Sequence, residues 1–161
     1  MEDKTKIEDT TMKTAGDVVK NKPLYFVKSG VTVLEVAKIM ADKNIGAVPV
    51  LSEDGKLIGI FSERDLLKRV VANGLDPNIT KIDDVMTREL MIALDDESYE
   101  ECLAKMKKAG IRHLPVIDKD NNLLGILSLR DLMDISLDEK TERIEMLHAY
   151  IYYRPPFEEN K

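Results

Sequence analysis

The chain has 161 residues, of which 43% are hydrophobic and 34% are charged, and its formal net charge at pH 7 is −6. This length fits one globular domain or a pair of small fused units. The negative charge argues against non-specific nucleic-acid binding or attraction to an anionic membrane surface. No apolar run approaches the roughly 18 residues of a membrane span, and the amino terminus lacks the apolar core of a signal peptide. We therefore expect a cytoplasmic protein with neither a nucleic-acid nor a membrane partner.

Two features of the composition narrow the chemistry. The single cysteine, Cys102, excludes an intramolecular disulfide and any multi-cysteine metal site, and its place on an apolar helical stripe predicts a buried thiol. Gln and Trp are absent while Lys, Glu, Asp and Arg are frequent, a bias found in proteins of hyperthermophiles. Neither feature indicates a metal or catalytic centre.

The amino-terminal half of the chain contains one predicted folded unit. Residues 1–13 are polar and without periodicity, so we interpret them as a flexible arm. Residues 14–74 follow the order strand, helix, strand, strand, helix. The predicted elements are a strand at 24–27, a helix opened by the capping box Thr32-Val33-Leu34-Glu35, hairpin strands at 47–51 and 57–61 joined by Asp54-Gly55, and a helix with Leu66, Leu67, Val70 and Val71 that ends at Gly74.

The same order of elements recurs in residues 82–136, after a linker at residues 75–81. Eleven positions are identical between residues 44–66 and 110–132. The predicted elements are an opening segment at 82–86, a strand at 90–94, a helix opened by Ser98-Tyr99-Glu100-Glu101, hairpin strands at 113–117 and 123–127, and a helix that starts near Asp131. An internal repeat of this kind is the strongest indication of architecture in the sequence.

The repeats predict the fold class. Each unit alone buries too little apolar surface to be stable. We therefore predict a mixed α/β fold in which two β-α-β-β-α repeats pack face to face about a pseudo-two-fold axis. A C-terminal helical tail is predicted at residues 137–161, because Leu137, Ile144, Leu147 and Ile151 fall on one stripe without an intervening Gly or Pro.

Each repeat contains a Ser-x-x-Asp element where a predicted strand enters a helix, Ser62 to Asp65 and Ser128 to Asp131. One interpretation is a capping box, in which the serine accepts from a free helical N–H and the acid reaches back. The other is a ligand site, in which the aspartate accepts from the two vicinal hydroxyls of a ribose while the serine contacts a sugar or phosphate oxygen. The seven residues around each element leave both interpretations open.

The repeat context points to a known family. The motifs are Asp84-Val85-Met86-Thr87, Gly110-Ile111-Arg112-His113-Leu114-Pro115-Val116 and Leu124-Gly125-Ile126, with Ile45-Gly46-Ala47-Val48-Pro49-Val50 and Leu57-Ile58-Gly59-Ile60 as first-repeat counterparts. Over residues 14–136 the chain resembles a tandem pair of cystathionine-β-synthase (CBS) domains, called a Bateman module. The resemblance implies clefts between the repeats for adenosine-containing ligands, most often AMP, ADP or ATP and sometimes S-adenosylmethionine or NAD(H). It also implies dimers joined through their helices.

The resemblance also implies site residues. In each repeat the aspartate of Ser-x-x-Asp matches the family's ribose-binding acid, and the serine matches its hydroxyl contact. Arg112 and His113 match the positions at which family members place basic groups against phosphate. The expected site residues are Thr32, Val48, Ser62 and Asp65 in the first repeat and Arg112, His113, Leu114, Ser128 and Asp131 in the second. Because the repeats pack head to tail, a basic residue of one could also reach the phosphate bound by the other, and the candidates are Arg64, Arg130 and Lys28. Gly46 and Ala47 replace Arg112 and His113 in the first repeat, so we expect unequal clefts, with the phosphorylated ligand at Asp131.

These observations predict a non-catalytic sensor of adenine nucleotides that regulates a partner protein by population shift. No Walker-type loop, helical pair of metal ligands or nucleophile elbow supports an enzyme. Two alternatives stay open: a nucleotide-independent dimeric scaffold that uses the tail around Tyr150, Tyr152 and Tyr153, and a dormant nucleotide hydrolase. We also expect a homodimer, because the apolar stripes Val33, Val36, Met40, Val70 and Val71 exceed what two small units can cover.

The tail supports a first prediction. Truncation after Ser136 is expected to weaken dimerisation or partner binding while leaving nucleotide affinity unchanged, because no matched ligand residue lies beyond Asp131. Light scattering and calorimetry with AMP check the two properties separately. A truncated chain that stays dimeric but loses AMP binding would contradict this assignment of the tail.

Overall fold

The computed structural model describes residues 13–135 together with residues 144, 147, 148 and 151. The helices are α1 (Ala15–Val19), α2 (Val33–Lys43), α3 (Glu63–Asp65), α4 (Ile82–Val85), α5 (Tyr99–Ala109) and α6 (Leu129–Ile135), and a π-helical segment, Leu66–Val71, continues α3. The strands are β1 (Val27–Lys28), β2 (Ala47–Leu51), β3 (Leu57–Ser62), β4 (Ala93–Leu94), β5 (His113–Ile117) and β6 (Leu123–Ser128). The predicted arm, except for Lys13, and the predicted tail, except for four helical residues, lie outside the described residues.

The strands form two three-stranded sheets of the same design, with orders β1-β2-β3 and β4-β5-β6. In each sheet the first pair is parallel and the second is antiparallel. The registers also match, since Ala47 pairs with Ser62 where His113 pairs with Ser128. The predicted mixed α/β fold with two β-α-β-β-α repeats is confirmed, and both Ser-x-x-Asp elements lie at the same edge of equivalent sheets.

Local sequence explains where the long helices begin and end. Thr32 caps α2: its hydroxyl accepts from the Glu35 N–H at 3.3 Å, and its own N–H donates to the Glu35 carboxylate at 2.7 Å. Ser98 and Glu101 cap α5 in the same way, as predicted. Both helices end at a residue with positive φ, Asn44 at 52° and Gly110 at 69°, a backbone conformation that Asn and Gly tolerate.

The first strand of each sheet and the second helix of the first repeat differ from the prediction. Only two residues of β1 and two of β4 pair with a neighbour, and Leu24 and Phe26, predicted to lie in the first strand, are exposed. Because these strands pair along one edge only, apolar content alone sets their bounds poorly. The helix after Asp65 is π-helical from Leu66 to Val71 and is capped by Ala72, two residues before the predicted end at Gly74.

The two cores exchange their short helices. Helix α1 begins the first sequence repeat, yet Ala15 and Val19 pack in the core of the second, and the Ala15 N–H donates to the Glu97 carbonyl at 2.8 Å. Helix α4 begins the second sequence repeat, yet Ile82 and Val85 pack in the core of the first. The sequence repeats and the packed units are therefore offset by one segment, which joins each repeat to the other.

Two equivalent glycines make this exchange possible. A Cβ built on Gly125 would lie 2.8 Å from the Val19 Cβ, closer than a packed contact allows. A Cβ built on Gly59 would overlap the sulfur of Met86, which follows α4. Each glycine thus lets the exchanged segment approach the backbone of the sheet it covers.

The apolar stripes do not support a dimer in the way that the sequence suggested. Val33, Val36, Met40 and Val70 are all buried in the core of the first repeat. The expectation that these four residues need a partner chain to cover them is wrong, because the exchanged helix α4 packs against them. Val71 alone among the five is exposed, at 63%, and the homodimer stays a prediction.

Gly125→Ala is expected to lower the free energy of unfolding by about 1 to 3 kcal/mol, because overpacking forces the β-branched Val19 and its helix away from the sheet. Gly59→Ala is the matched control. It should cost less, because Met86 can rotate its flexible end aside. Urea unfolding of the three proteins measures both effects, and a wild-type stability for Gly125→Ala would refute the proposed contact.

Candidate functional site

A cleft of about 790 Å³ lies between the two repeats. The first sequence repeat contributes Lys22, Pro23, Tyr25, Ala37, Met40, Ala41, Lys43, Asn44, Ile45, Gly46, Ala47, Glu63 and Leu66, and the second contributes Arg112, His113, Ile126, Ser128, Leu129, Arg130 and Asp131. The structure thus brings together five of the predicted residues of the second repeat. A cleft of this size with apolar walls and converging polar groups is typical of small-molecule sites.

Asp131 and Ser128 form the polar centre of the cleft. The Oδ2 atom of Asp131 accepts from the Ser128 N–H at 2.7 Å and from the Ser128 hydroxyl at 2.8 Å, and the Asp131 N–H donates back to Ser128 Oγ at 3.1 Å. Ser62 and Asp65 make the same contacts in the first repeat. The capping interpretation is therefore confirmed for both elements, and it leaves a carboxylate acceptor fixed at the start of each helix.

Lys22 is a cleft residue that sequence reasoning missed. Its Nζ donates to Asp131 Oδ2 at 2.6 Å and to the Ile126 carbonyl at 3.2 Å. Lys22 reaches Asp131 because it directly follows the exchanged helix α1, whose Val19 packs on Gly125. The repeat alignment contains a usable indication, since Arg88 occupies the equivalent position, 66 residues later, and is also basic.

His113 lies against the first repeat across the cleft. A Cβ on Gly46 would come within 3.1 Å of His113 Nε2, a tight contact, so the glycine leaves room for the imidazole. Burial, and then the positive charge of Arg112, lower the pKa of His113 to about 4. His113 is therefore neutral at pH 7. The sequence-based expectation of a charged group is corrected here, although a neutral imidazole still donates one hydrogen bond.

The charge of the cleft is opposite to that of the whole chain. Its cationic side chains are Lys22, Lys43, Arg112 and Arg130, and its carboxylates are Glu63 and Asp131. The chain as a whole has a net charge of −6. A local excess of cations in an acidic protein favours an anionic ligand.

The first repeat presents Asp65 in a different setting. Arg69 on the same helix lies 3.7 Å from Asp65. Arg88, the equivalent of Lys22, donates instead to the Asp83 carbonyl at 2.8 Å. Thr87 forms an isolated bridge with Ile60 and so covers the edge of β3 that corresponds to Ile126 in β6.

A shallower cleft of about 500 Å³ lies near this edge. Arg69 and Arg88 line it together with Asp83, Asp84 and Glu89, so carboxylates outnumber cations. Ser62 and Asp65 are not among its lining residues. The two ends of the module therefore differ in charge as well as in shape.

Five predicted residues lie outside the large cleft, among them Ser62 and Asp65 of the first Ser-x-x-Asp element. Val48 and Leu114 have no exposed surface and pack in the two cores, and Thr32 caps α2. Two other basic residues were candidates for contacting phosphate across the repeats. Arg64 donates to the Gly110 carbonyl of the other repeat at 3.2 Å, and Lys28 ends β1 without lining the cleft.

Three further features of the described part of the chain concern metal binding, membrane insertion and thiol reactivity. Within it, no three His, Cys, Asp or Glu side chains are grouped as a metal site, and none of its helices has the length and apolarity needed to cross a membrane. Cys102 is fully buried, as predicted. Burial raises the pKa of its thiol to about 11, which makes it a poor nucleophile.

Solved structures similar to this chain share its fold. A protein with CBS domains from Burkholderia ambifaria is 31% identical, with a TM-score of 0.73 over 80% of this chain and 96% of that chain. The CBS-domain pair of protein MJ0100, solved in complex with 5′-methylthioadenosine and S-adenosyl-L-methionine, is 30% identical, with a TM-score of 0.68 over 77% of this chain and 95% of that chain.

An enzyme contains a similar segment. The inosine-5′-monophosphate dehydrogenase of Methanocaldococcus jannaschii is 33% identical over 117 residues, which are 73% of this chain but only 22% of that enzyme. The family model of the CBS domain matches twice, at residues 15–72 and 82–138, and so covers more than half of the chain. The chain therefore belongs to the CBS-domain family, as a tandem pair of CBS domains.

Proposed function

We propose that this CBS-domain pair is a regulatory module that reversibly binds a phosphorylated adenosine ligand, AMP, ADP or ATP, in the cleft at Asp131. The observation that carries the proposal is the combination of a fixed carboxylate with an excess of cations in one cleft of an acidic protein. A related CBS-domain pair was solved with adenosine-containing ligands, which supports the nucleoside part.

The cleft has a suitable group for each part of such a ligand. Asp131, held by Ser128, is an acceptor for the two ribose hydroxyls. Arg112 and Lys22 supply charge-assisted hydrogen bonds to phosphate, and neutral His113 adds an uncharged donor. Apolar side chains that line the same cleft, Met40 and Ile45 among them, offer a surface for adenine.

Charge distinguishes the candidate ligands. The cations of the cleft attract a phosphate but repel the sulfonium of S-adenosylmethionine. We therefore place AMP, ADP and ATP ahead of S-adenosylmethionine for this chain. Of the two repeats, we propose that the second provides the tighter site, because carboxylates outnumber cations in the shallower cleft near the first.

Ligand occupancy would be transmitted through the contacts that join the repeats. The cleft has walls from both repeats, the exchanged helix α1 leads directly to Lys22, and Arg64 bonds Gly110 across the repeats. A ligand that fits one relative orientation better than another shifts the population toward it, by no more than its differential affinity. We propose that a partner protein responds to this shift, and that the module itself is not catalytic. The presence of a similar segment in a larger enzyme supports such a role.

A homodimer also stays part of the proposal, on different evidence. Leu67, Val71 and Ile79 are 60%, 63% and 74% exposed, and Leu75 is exposed between them in sequence. Apolar side chains concentrated in one stretch at a protein surface favour an interface. This stretch follows Asp65 directly, which would connect the first repeat to the interface.

The decisive experiment compares Asp131→Ala with Asp65→Ala in calorimetric titrations with AMP. Removing Asp131 deletes a charged acceptor, at a cost of about 1.5 to 3 kcal/mol, so the affinity of the tighter site should fall about 10- to 100-fold. Asp65→Ala is a matched control, because it removes the same capping box from the equivalent helix. Loss of the tighter site in Asp65→Ala, with a folded Asp131→Ala protein that binds AMP normally, would reverse the assignment. If wild type bound none of the adenosine ligands with a Kd below about 100 μM, the proposal would fail.

The neutral state of His113 predicts a pH dependence. Because the pKa of His113 is about 4 in the folded chain and 6.5 is its ordinary value, the unfolded chain takes up a proton that the folded chain refuses. The free energy of unfolding should therefore fall as the pH drops from about 6.5 to 4, and His113→Gln should reduce this fall. Urea unfolding at several pH values measures the difference. An imidazole that titrates near 6.5 by NMR would contradict the prediction.

A further inference from the structure

Lys22 is hydrogen-bonded to the oxygen of Asp131 that a ribose hydroxyl would use. Asp131 Oδ2 already accepts from the Ser128 N–H, the Ser128 hydroxyl and Lys22 Nζ, the last at 2.6 Å. A carboxylate oxygen has only about two lone pairs, so three donors saturate it. A ribose diol that needs both oxygens of Asp131 must therefore displace one of these three donors from Oδ2.

Lys22 is the donor that can leave. The two Ser128 donors belong to the cap of α6 and move only if the helix start moves. The Lys22 backbone is fixed, since its N–H donates to the Val19 carbonyl at 3.0 Å, but its side chain is long and 39% exposed, whereas Asp131 is 18% exposed. Only the stem of Lys22 has to swing for Oδ2 to become available.

We propose that Lys22 is a latch on Asp131 that selects for ligands carrying an anionic group. A neutral nucleoside has to break the ion pair and offers the ammonium no new partner. A phosphorylated nucleoside receives the released ammonium on its phosphate, beside Arg112, which lines the same cleft. This inference rests on the proposed function and adds to it the source of the discrimination between adenosine and AMP.

The Asp65 end of the module contains the matched control. Arg88 stands at the position of Lys22, yet it bonds the Asp83 carbonyl at 2.8 Å, and Asp65 has Arg69 beside it on its own helix. The latch thus belongs to the Asp131 cleft, and Arg88→Met removes an equivalent positive charge without opening that cleft.

The experiment is calorimetric titration of adenosine and AMP into wild type, Lys22→Met, Lys22→Arg and Arg88→Met. A half-exposed ion pair that closes the site most of the time lowers the apparent affinity for adenosine in proportion to the open fraction. Lys22→Met should therefore bind adenosine about 3- to 10-fold more tightly and AMP more weakly, so that the preference for AMP falls at least about tenfold. Lys22→Arg should retain the preference, and Arg88→Met should leave both affinities at the tighter site unchanged.

Ionic strength supplies a second measurement that a purely structural role would not affect. Salt screens the half-exposed pair, so higher salt should tighten adenosine binding to wild type and leave it unchanged in Lys22→Met. If Lys22→Met changes both affinities by the same factor, or weakens adenosine binding, the latch is refuted while the nucleotide site stands. If wild type binds neither compound in an Asp131-dependent way, the proposed function and the latch both fail.

Discussion

The exchange of the two short helices is the constraint on which the rest of the structure depends. The core of each three-stranded sheet is completed by the short helix that begins the other sequence repeat. Gly59 and Gly125 allow this cover to touch the sheet backbone. Since apolar burial drives association of the layers, separating the repeats would uncover both cores at once. The cleft between the repeats is consequently a built-in feature of the folded chain.

The same exchange of helices brings functional side chains to the cleft. Helix α1 delivers Lys22 to Asp131, and the approach of the repeats seats His113 against Gly46. Asp131 serves the helix cap and holds Lys22 through one oxygen atom. The carboxylate of Asp131 therefore caps the helix and is also available to a ligand, so the two interpretations of Ser-x-x-Asp are compatible. What the motif provides is an acceptor whose position is set by the start of a helix.

The two ends of the pair illustrate how a symmetric fold carries unequal sites. The sheets agree in order, register and even the position of their irregularity. The contacts around them do not agree: the Thr87 backbone bridges Ile60 at one end, while Lys22 bonds the carbonyl of Ile126 at the other. The symmetry of the backbone fixes the positions of the Cα atoms and leaves the side chains free to differ. The charge and length of the side chains at a few positions therefore decide which end attracts an anion.

The sequence by itself determined the local structure. The capping boxes at Thr32 and Ser98, the hairpins and the repeated strand and helix order depend on neighbours within a few residues, which pattern and propensity report directly. The repeat and its motifs likewise identified the family. Only the tertiary structure decided which sheet α1 covers, that Val33 and Val36 are buried within the first repeat, that Lys22 meets Asp131, and that His113 is neutral. These properties depend on contacts between residues far apart in sequence and on desolvation by the packed repeats, which no local pattern encodes.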